Sequence, residues 1–192
     1  MEVKNCLEAI GGKLLSGDKN KVFRGVSIDS RTLIENELFI CICGDQFNGH
    51  DFIKEAQNKK ASAIVLSDSS RIESKNNMAP SVIHVDNTLK ALQELALFHR
   101  SQMSVKVIGI TGTNGKSTTK EITASIIERK FKTIKTKGNL NNHIGLPLNL
   151  FRLSKKDEVA VMEMGMSAAG EIKRLAEIAQ PEIGVVTNIS EG

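Results

Sequence analysis

A short glycine-rich run near the middle of the chain has the residue types of a phosphate-binding loop. Its residues, in order, are Gly112-Thr113-Asn114-Gly115-Lys116-Ser117. An apolar run at residues 105–110 precedes it, and a helical pattern begins at Thr118. Glycines let backbone N–H groups turn inward, a helix start adds partial positive charge, and Lys116 adds a full charge. The combination predicts a site for a nucleotide polyphosphate.

The glycine spacing differs from the standard pattern, G-x-x-x-x-G-K-[ST]. Counting back from Lys116 puts Ile110 at the position of the first glycine, and the glycines stand instead at Gly109, Gly112 and Gly115. A glycine-rich stretch alone is often only a tight turn. The Gly-Lys-Ser ending, placed between an apolar run and a helical pattern, favours nucleotide binding over that alternative.

Three more polar residues are candidates for the same site. Ser117 follows the lysine directly, where a hydroxyl group completes the coordination of a Mg²⁺ ion that bridges the phosphates. Glu163 lies near the end of an apolar run, and Asn142 has an amide that can both donate and accept hydrogen bonds. By residue type and position alone, Glu163 is better interpreted as a solvated acid at a strand end.

The pattern of apolar residues predicts an α/β fold in two parts that join near residue 104. In the first part, the predicted strands and helices are at residues 37–43, 51–59, 61–66, 81–85 and, as a linking helix, 89–102. In the second part, strands alternate with helices at residues 105–111, 117–129, 133–136, 147–153, 159–164, 168–179 and 183–189. Such alternation is typical of a parallel sheet with ligand loops at the carboxyl ends of its strands. We therefore predict an N-terminal domain at 1–104 and the first half of a nucleotide-binding domain at 105–192.

Composition and charge exclude several classes of protein. The net charge is +4, but the lysines are scattered, and the chain has no Trp or Tyr to stack on bases. No apolar stretch approaches the roughly 20 residues that cross a bilayer, and the N terminus lacks a secretion signal. We therefore predict a cytoplasmic protein that binds anionic small molecules, with no nucleic-acid partner and no membrane span. A monomer is the expectation.

The cysteines predict neither a disulfide framework nor a metal site. They are odd in number: Cys6, Cys41 and Cys43. Cys41 and Cys43 alternate within an apolar run, so we expect both side chains on one face of a strand, as buried thiols. A metal site would need further ligands, and no clustered histidines supply them.

Four stretches of the sequence together resemble the Mur ligase family. They are residues 25–31 (Gly-Val-Ser-Ile-Asp-Ser-Arg), 111–121 around the glycine-rich loop, 138–147 (Gly-Asn-Leu-Asn-Asn-His-Ile-Gly-Leu-Pro) and 162–172, which begins Met-Glu-Met-Gly-Met-Ser. The third stretch is the most discriminating, because other members of the family share the glycine-rich loop but not the amino-acid sequence of residues 138–147. The stretches span almost the whole chain.

The resemblance implies an ATP-dependent ligase of peptidoglycan synthesis. In the implied reaction, ATP phosphorylates the terminal carboxylate of UDP-N-acetylmuramoyl-tripeptide, and the amine of D-alanyl-D-alanine then displaces the phosphate. The implied cofactors are ATP and Mg²⁺. Much of such a protein's task is to neutralise and align charge, because the first step brings two anions together.

The resemblance also implies roles for individual residues. Lys116 and Glu163 would be catalytic, with Lys116 on the β- and γ-phosphates. The residues that would bind the nucleotide are Gly112, Thr113, Asn114, Gly115, Lys116, Ser117, Thr118 and Asn142. Ser117 and Glu163 would hold the metal, so the resemblance favours a ligand over a solvated acid at Glu163. His143 is a weaker candidate as a base, because nothing nearby in the sequence orients it.

Residues 27–31 resemble the family's site for the uridine-diphosphate end of the substrate. Ser30 and Arg31 are the implied contacts, since a hydroxyl and a forked guanidinium both suit a pyrophosphate. By spacing alone, an Asx-type turn that closes a hairpin is an equal alternative. A further matching stretch at residues 44–52 contains His50-Asp51, which we expect to cap the next helix rather than to approach the sugar.

By the resemblance, the chain covers the N-terminal domain and about half of the central one. We therefore expect a fragment or a truncated gene product, inactive alone, because the family also uses a histidine and a modified lysine after this point. Two alternatives stay open: a module that binds ATP or the UDP-sugar peptide without turnover, and another Mur-type ligase, such as a folate polyglutamylating enzyme. Residues 138–147 argue against the second.

Overall fold

The computed structural model describes residues 1–44, 47–71 and 80–190. The chain divides into two compact units, Met1–Leu95 and Ala96–Gly192. The predicted α/β class is confirmed, because each unit contains a sheet in which parallel pairing predominates. Within the described ranges, no helix is both long and apolar enough to cross a membrane.

The first unit is built on one sheet. Its strands are β1 (Lys13–Ser16), β2 (Val26–Ser27), β3 (Leu38–Ile40), β4 (Ala63–Leu66) and β5 (Ser81–His84). Its helices are α1 (Val3–Ile10), α2 (Ile53–Asn58) and the start of α3 (Thr88–Ser101), with 3₁₀ turns at Gly49–Phe52 and Ser69–Arg71. The strand order is β1-β5-β4-β3-β2, and β1 pairs antiparallel with β5.

The apolar content of β4 explains its central position. All four of its residues, Ala-Ile-Val-Leu, are buried, as expected for a parallel strand that is covered on both faces. Ile64 and Leu66 pack in a core cluster with Phe39 of β3 and Ile53 of α2. Because β2, β3 and β4 are parallel, the segments that follow them meet at one edge of this sheet.

The second unit contains an entirely parallel sheet in its described residues. Its strands are β6 (Lys106–Thr111), β7 (Thr133–Lys135), β8 (Val159–Glu163) and β9 (Ile183–Val186), in the order β7-β8-β6-β9. Its helices are the end of α3, α4 (Lys116–Ile127), α5 (Gly145–Leu150) and α6 (Glu171–Ala179). The predicted alternation of strands and helices is therefore confirmed, with element ends that differ from prediction by a few residues.

Strand β8 separates two cores because its side chains alternate between the faces of the sheet. Ala160 and Met162 pack in a cluster with residues of α5 and α6. Val161 points the other way and packs with Ile110 and Ala124, the latter on α4. The buried strand thus holds its last residue, Glu163, at the edge of the sheet from which α4 starts.

Several local predictions are wrong. The sequence patterns missed α1, β1 and β2, and α6 begins at Glu171 rather than near residue 168. Cys43 is exposed, not buried, because β3 ends at Ile40 and the alternation does not continue beyond it. Cys41 is buried as expected, Cys6 is also buried, and burial raises the pKa of each thiol to about 12.

Arg100, near the end of α3, joins three segments of the second unit. Its Nε donates to Ala179 O at 2.9 Å, and its Nη1 donates to Met103 O at 3.0 Å. Its Nη2 lies 3.3 Å from both Gln180 O and Glu182 Oε1. The Arg100 side chain is 7% exposed and Ala179 is buried, so the Ala179 carbonyl group has little access to water as a substitute partner, whereas Glu182 is half exposed.

We predict that Arg100→Met lowers the free energy of unfolding by about 2 kcal/mol, because it leaves the buried carbonyl group of Ala179 without its donor. Urea unfolding followed by circular dichroism measures this change. Arg129→Met is the control, since Arg129 is exposed, and it should cost less than about 0.5 kcal/mol. Equal losses in the two variants would contradict this account of Arg100.

Candidate nucleotide-binding site

The loop between β6 and α4 needs glycine at two positions. Gly112 has φ +135° and lies against the end of β9, where an added Cβ would collide with Thr187 Oγ1 and approach Asn188 O to 2.9 Å. Gly115 has φ +81° and is the N-cap of α4. Both positions therefore favour glycine for physical reasons. Gly115 keeps the standard position before the lysine, whereas Gly112 departs from the standard pattern.

The residues after β9 hold the tip of the loop. Asn188 Oδ1 accepts from Asn114 N at 2.7 Å, and Asn188 O accepts from Thr113 N at 3.1 Å. Thr187 Oγ1 donates to Asn114 O at 2.5 Å. Two of the loop N–H groups expected to hold phosphate are therefore engaged with Asn188 in this structure.

The first turn of α4 presents the remaining donors. Helix geometry leaves the N–H groups of Lys116, Ser117 and Thr118 without acceptors inside the helix, and no side chain caps this end. Lys116 Nζ donates to Gly112 O at 2.7 Å and to Thr113 O at 3.0 Å. These carbonyl partners are neutral, so the ammonium charge stays available to an anion at the start of the helix.

Glu163 is buried opposite this helix start, which excludes the solvated acid as an interpretation. Its side chain is 3% exposed. Oε2 accepts from Ser117 Oγ at 2.9 Å and lies 3.4 Å from Lys120 Nζ, while Oε1 accepts from Asn141 Nδ2 at 2.7 Å. The structure thus brings together Ser117 and Glu163, the two residues proposed as metal ligands.

The sequence analysis missed three residues around Glu163. Lys120 is one helical turn after Ser117, and this spacing was the signal for a shared helix face. Asn141 stands next to the expected Asn142, and only the path of the loop decides which amide reaches the carboxylate. Thr136 Oγ1 accepts from Glu163 N at 2.8 Å and so holds the backbone of β8 in place.

Asn142 caps a helix in this structure. Its Oδ1 accepts from Ile144 N at 3.1 Å and from Gly145 N at 2.8 Å, at the start of α5. Asn142 also lines a pocket of about 470 Å³ together with Lys116 and His143. His143 Nδ1 lies 3.9 Å from Glu171 Oε1, a neighbouring carboxylate that the sequence near His143 did not indicate.

The residues suit a metal that arrives with a nucleotide. Among the described residues, no group of three or more His, Cys, Asp or Glu side chains could hold a metal ion. Ser117 and Glu163 offer two oxygen ligands 2.9 Å apart. Mg²⁺ is commonly held by one or two protein oxygens and completed by substrate phosphates and water, so this pair fits that ion.

A second pocket, of about 460 Å³, lies at the carboxyl edge of the first sheet. Ser30 and Arg31 are in its wall with Phe47 and Phe52. Arg31 is 85% exposed, and its Nη2 donates to Asp29 Oδ2 at 2.7 Å. Hydrogen bonding from Arg31 lowers the pKa of Asp29 below its usual value.

The polar groups of residues 29–31 also form local contacts. Asp29 Oδ1 accepts from Arg31 N at 2.9 Å, which forms the Asx-type turn that the sequence spacing offered as an alternative. This turn does not close a hairpin, because β2 and β3 are parallel. Ser30 Oγ donates to Glu55 Oε2 at 2.8 Å, so any ligand of Ser30 would share the hydroxyl with this carboxylate.

His50 does not cap α2; its ring lies between Asn48 and the residues that follow β4. The side chain of Asn48 accepts from His50 N and caps the 3₁₀ turn. His50 Nε2 accepts from Ser67 N at 3.0 Å, and Nδ1 lies 2.7 Å from Asn48 Oδ1. His50 is 3% exposed, and burial lowers its pKa below the ordinary value of 6.5.

A parallel sheet, a glycine-rich loop that opens a helix, and a buried carboxylate facing that helix define a P-loop nucleotide-binding fold. Sequence comparison agrees with this class. A model described as the Mur ligase middle domain matches residues 110–192, and one described as Mur ligase family, catalytic domain, matches residues 22–100. The chain belongs to the Mur ligase family.

The relatives are longer than this chain. The UDP-N-acetylmuramoyl-tripeptide–D-alanyl-D-alanine ligase of Bacillus subtilis is 43% identical over 190 residues, which are 98% of this chain and 41% of that protein. The ligase of the same name from Treponema pallidum is 34% identical over 96% of this chain and 41% of its own length. The chain therefore spans about two fifths of these curated relatives.

Solved structures show the same fold. MurF from Acinetobacter baumannii matches 98% of this chain and 41% of its own length, with a TM-score of 0.89 and 29% identity. MurF from Thermotoga maritima, solved in complex with ADP, matches 86% of this chain and 37% of its own length, with a TM-score of 0.76 and 34% identity.

We predict that the first unit becomes less stable as pH falls through the lowered pKa of His50. The contribution of neutral His50 is fully present above about pH 6.5, where the unfolded histidine is also neutral, and it decreases at lower pH because protonation removes the Nε2 acceptor. His50→Gln keeps an acceptor that does not titrate, so unfolding free energies measured between pH 7.5 and 5 should fall less steeply in this variant. Equal slopes would contradict this role.

Proposed function

We propose that this chain is the substrate- and nucleotide-binding portion of a ligase that joins D-alanyl-D-alanine to UDP-N-acetylmuramoyl-tripeptide. Support comes from the Bacillus subtilis relative, which bears that name and is 43% identical across 98% of the chain. We assign residues 1–104 to binding of the UDP end and residues 105–192 to binding of ATP. ATP is supplied in the cytoplasm, so we also propose that the reaction takes place there.

The observation that carries this proposal is the pairing of Ser117 with Glu163 beside the uncapped start of α4. Lys116 and the N–H groups of that turn would receive the phosphates of ATP. Ser117 and Glu163 would hold Mg²⁺ against them. The Thermotoga maritima MurF, described as an ADP complex, supports a nucleotide at the corresponding fold.

In this reaction, ATP supplies the phosphoryl group that converts a substrate carboxylate into a mixed anhydride that an amine can attack. The chain's own residues would neutralise and align charge for that transfer. Lys116 would balance the phosphate oxygens with its ammonium group. Asn142, at the rim of the adjacent pocket, would orient the same phosphates or the reacting carboxylate through its amide.

The pocket at the edge of the first sheet is our proposed site for the UDP end. Arg31 would donate its guanidinium to the pyrophosphate, and Ser30 would add its hydroxyl. The pocket volume of about 460 Å³ is within the range of small-molecule sites, and Phe47 and Phe52 add apolar surface to the wall.

Two other functions remain as alternatives. The chain could act as a binding module that holds ATP or the UDP-sugar peptide without turnover, since it matches only 41% of its relatives. The amino-acid sequence of residues 138–147 argues against another ligase of the same family, such as a folate polyglutamylating enzyme. Titration with UDP distinguishes the proposed ligase from a folate polyglutamylating enzyme, because only a ligase with a nucleotide-sugar substrate should bind UDP.

We predict that Lys116→Ala raises the dissociation constant for ATP in magnesium buffer at least about tenfold, because a charge-assisted contact to phosphate is lost. Isothermal titration calorimetry measures the change. Lys155→Ala, which removes an exposed lysine, should leave the constant unchanged. Equal affinities for Lys116→Ala and the unaltered chain would contradict the assignment of the loop.

We predict that the 192-residue chain binds ATP but releases no phosphate when Mg²⁺ and both substrates are added, because it matches only 41% of the Bacillus subtilis ligase. A coupled phosphate assay tests this, with that complete ligase as the positive control. Substrate-dependent phosphate release would show instead that these 192 residues are a complete catalyst.

A further inference from the structure

Lys120 is a buried cation at the proposed metal site, and the function proposed above gives it no role. Its side chain is 4% exposed. Its Nζ lies 3.4 Å from Glu163 Oε2 and 3.3 Å from Glu121 Oε1. A lysine is rarely buried unless it is paired, so this position is specified by its partners.

The ammonium group of Lys120 contacts the same oxygen atom that Ser117 contacts. Glu163 Oε2 receives the hydroxyl of Ser117 at 2.9 Å, while Oε1 is engaged by Asn141 Nδ2 at 2.7 Å. Oε2 is therefore the oxygen that a metal shared with Ser117 would use. A divalent cation at that oxygen would be repelled by the nearby positive charge.

We propose that Lys120 is a positioning residue that holds Glu163 Oε2 in the absence of nucleotide, so that a divalent cation binds only together with the nucleotide phosphates. This inference rests on the proposed nucleotide function. Two protein oxygens alone provide few ligands, and Lys120 adds a charge that opposes the metal. Phosphate oxygens would supply both the missing ligands and the negative charge that offsets the ammonium group.

Glu121 would remain as a partner of Lys120 when Glu163 coordinates a metal ion. Glu121 Oε2 accepts from Lys135 Nζ at 2.6 Å, so Glu121 is itself paired with a second lysine. Its other oxygen, Oε1, is the one near Lys120. The ammonium group can therefore shift toward Glu121 without becoming an unpaired buried charge, which would be costly.

The test measures Mn²⁺, a paramagnetic substitute for Mg²⁺, by the electron paramagnetic resonance signal of the free ion. The 192-residue chain is compared with Lys120→Met, which removes the charge, and Lys120→Arg, which keeps it. Each is titrated with and without ADP. Lys155→Met serves as the control for removal of an exposed lysine.

We expect the unaltered chain to bind Mn²⁺ weakly without ADP and at least about tenfold more tightly with it. Lys120→Met should bind Mn²⁺ without ADP about tenfold more tightly than the unaltered chain, and ADP should then add little. Lys120→Arg and Lys155→Met should behave like the unaltered chain. Adding Glu163→Gln to Lys120→Met should abolish the gain, which ties the bound ion to Glu163.

A purely structural ion pair predicts a different result. Lys120→Met would then lose thermal stability while its nucleotide-free Mn²⁺ affinity stayed unchanged, and that outcome would overturn the proposal. If circular dichroism shows that Lys120→Met does not fold, Lys120→Gln replaces it. This variant also removes the charge, so the same result is expected, and it retains an amide donor for Glu163. Failure of every chain to bind ADP would overturn the nucleotide function, whereas the ADP-free titrations would still decide the role of Lys120.

Discussion

The second unit is organised around one buried carboxylate. Glu163 is the last residue of β8, and its side chain has almost no access to water. A charged group in such a place is tolerated only where donors and opposite charge surround it. Ser117, Lys120 and Asn141 meet this requirement, and they come from the start of α4 and the loop after β7. The carboxylate therefore couples the phosphate loop to two other parts of the sheet edge.

This coupling explains why the loop can depart from the standard glycine spacing. The geometry of the site depends on where α4 starts relative to β8, and Gly115 sets that start through its left-handed backbone. Gly112 serves a different need, since it lets the loop pass close to Thr187 and Asn188 after β9. The first glycine of the standard pattern falls at Ile110, which is buried in the core beneath α4 instead.

Sequence patterns predicted the sheet and the loop because both depend on local periodicity. The apolar runs of β6 and β8 and the helical pattern of α4 each contain their own signal. β1 and β2 were missed because they are short and partly exposed, so they lack a clear apolar alternation. Lys120 and Asn141 were missed for another reason. Their partner, Glu163, is distant in sequence, and only the packed sheet brings the three side chains together.

The two proposed anion sites should differ in affinity because the cation in each site has different partners. Arg31 is paired with the carboxylate of Asp29, so a pyrophosphate must compete with that carboxylate for the guanidinium group. Lys116 donates only to neutral carbonyl groups, and an uncapped helix start lies beside it. Competition with a carboxylate reduces the net gain from binding an anion far more than competition with carbonyl groups does. Phosphate should therefore bind more tightly at the loop, while the exposed pair of the first unit would select its ligand mainly through the shape of the pocket.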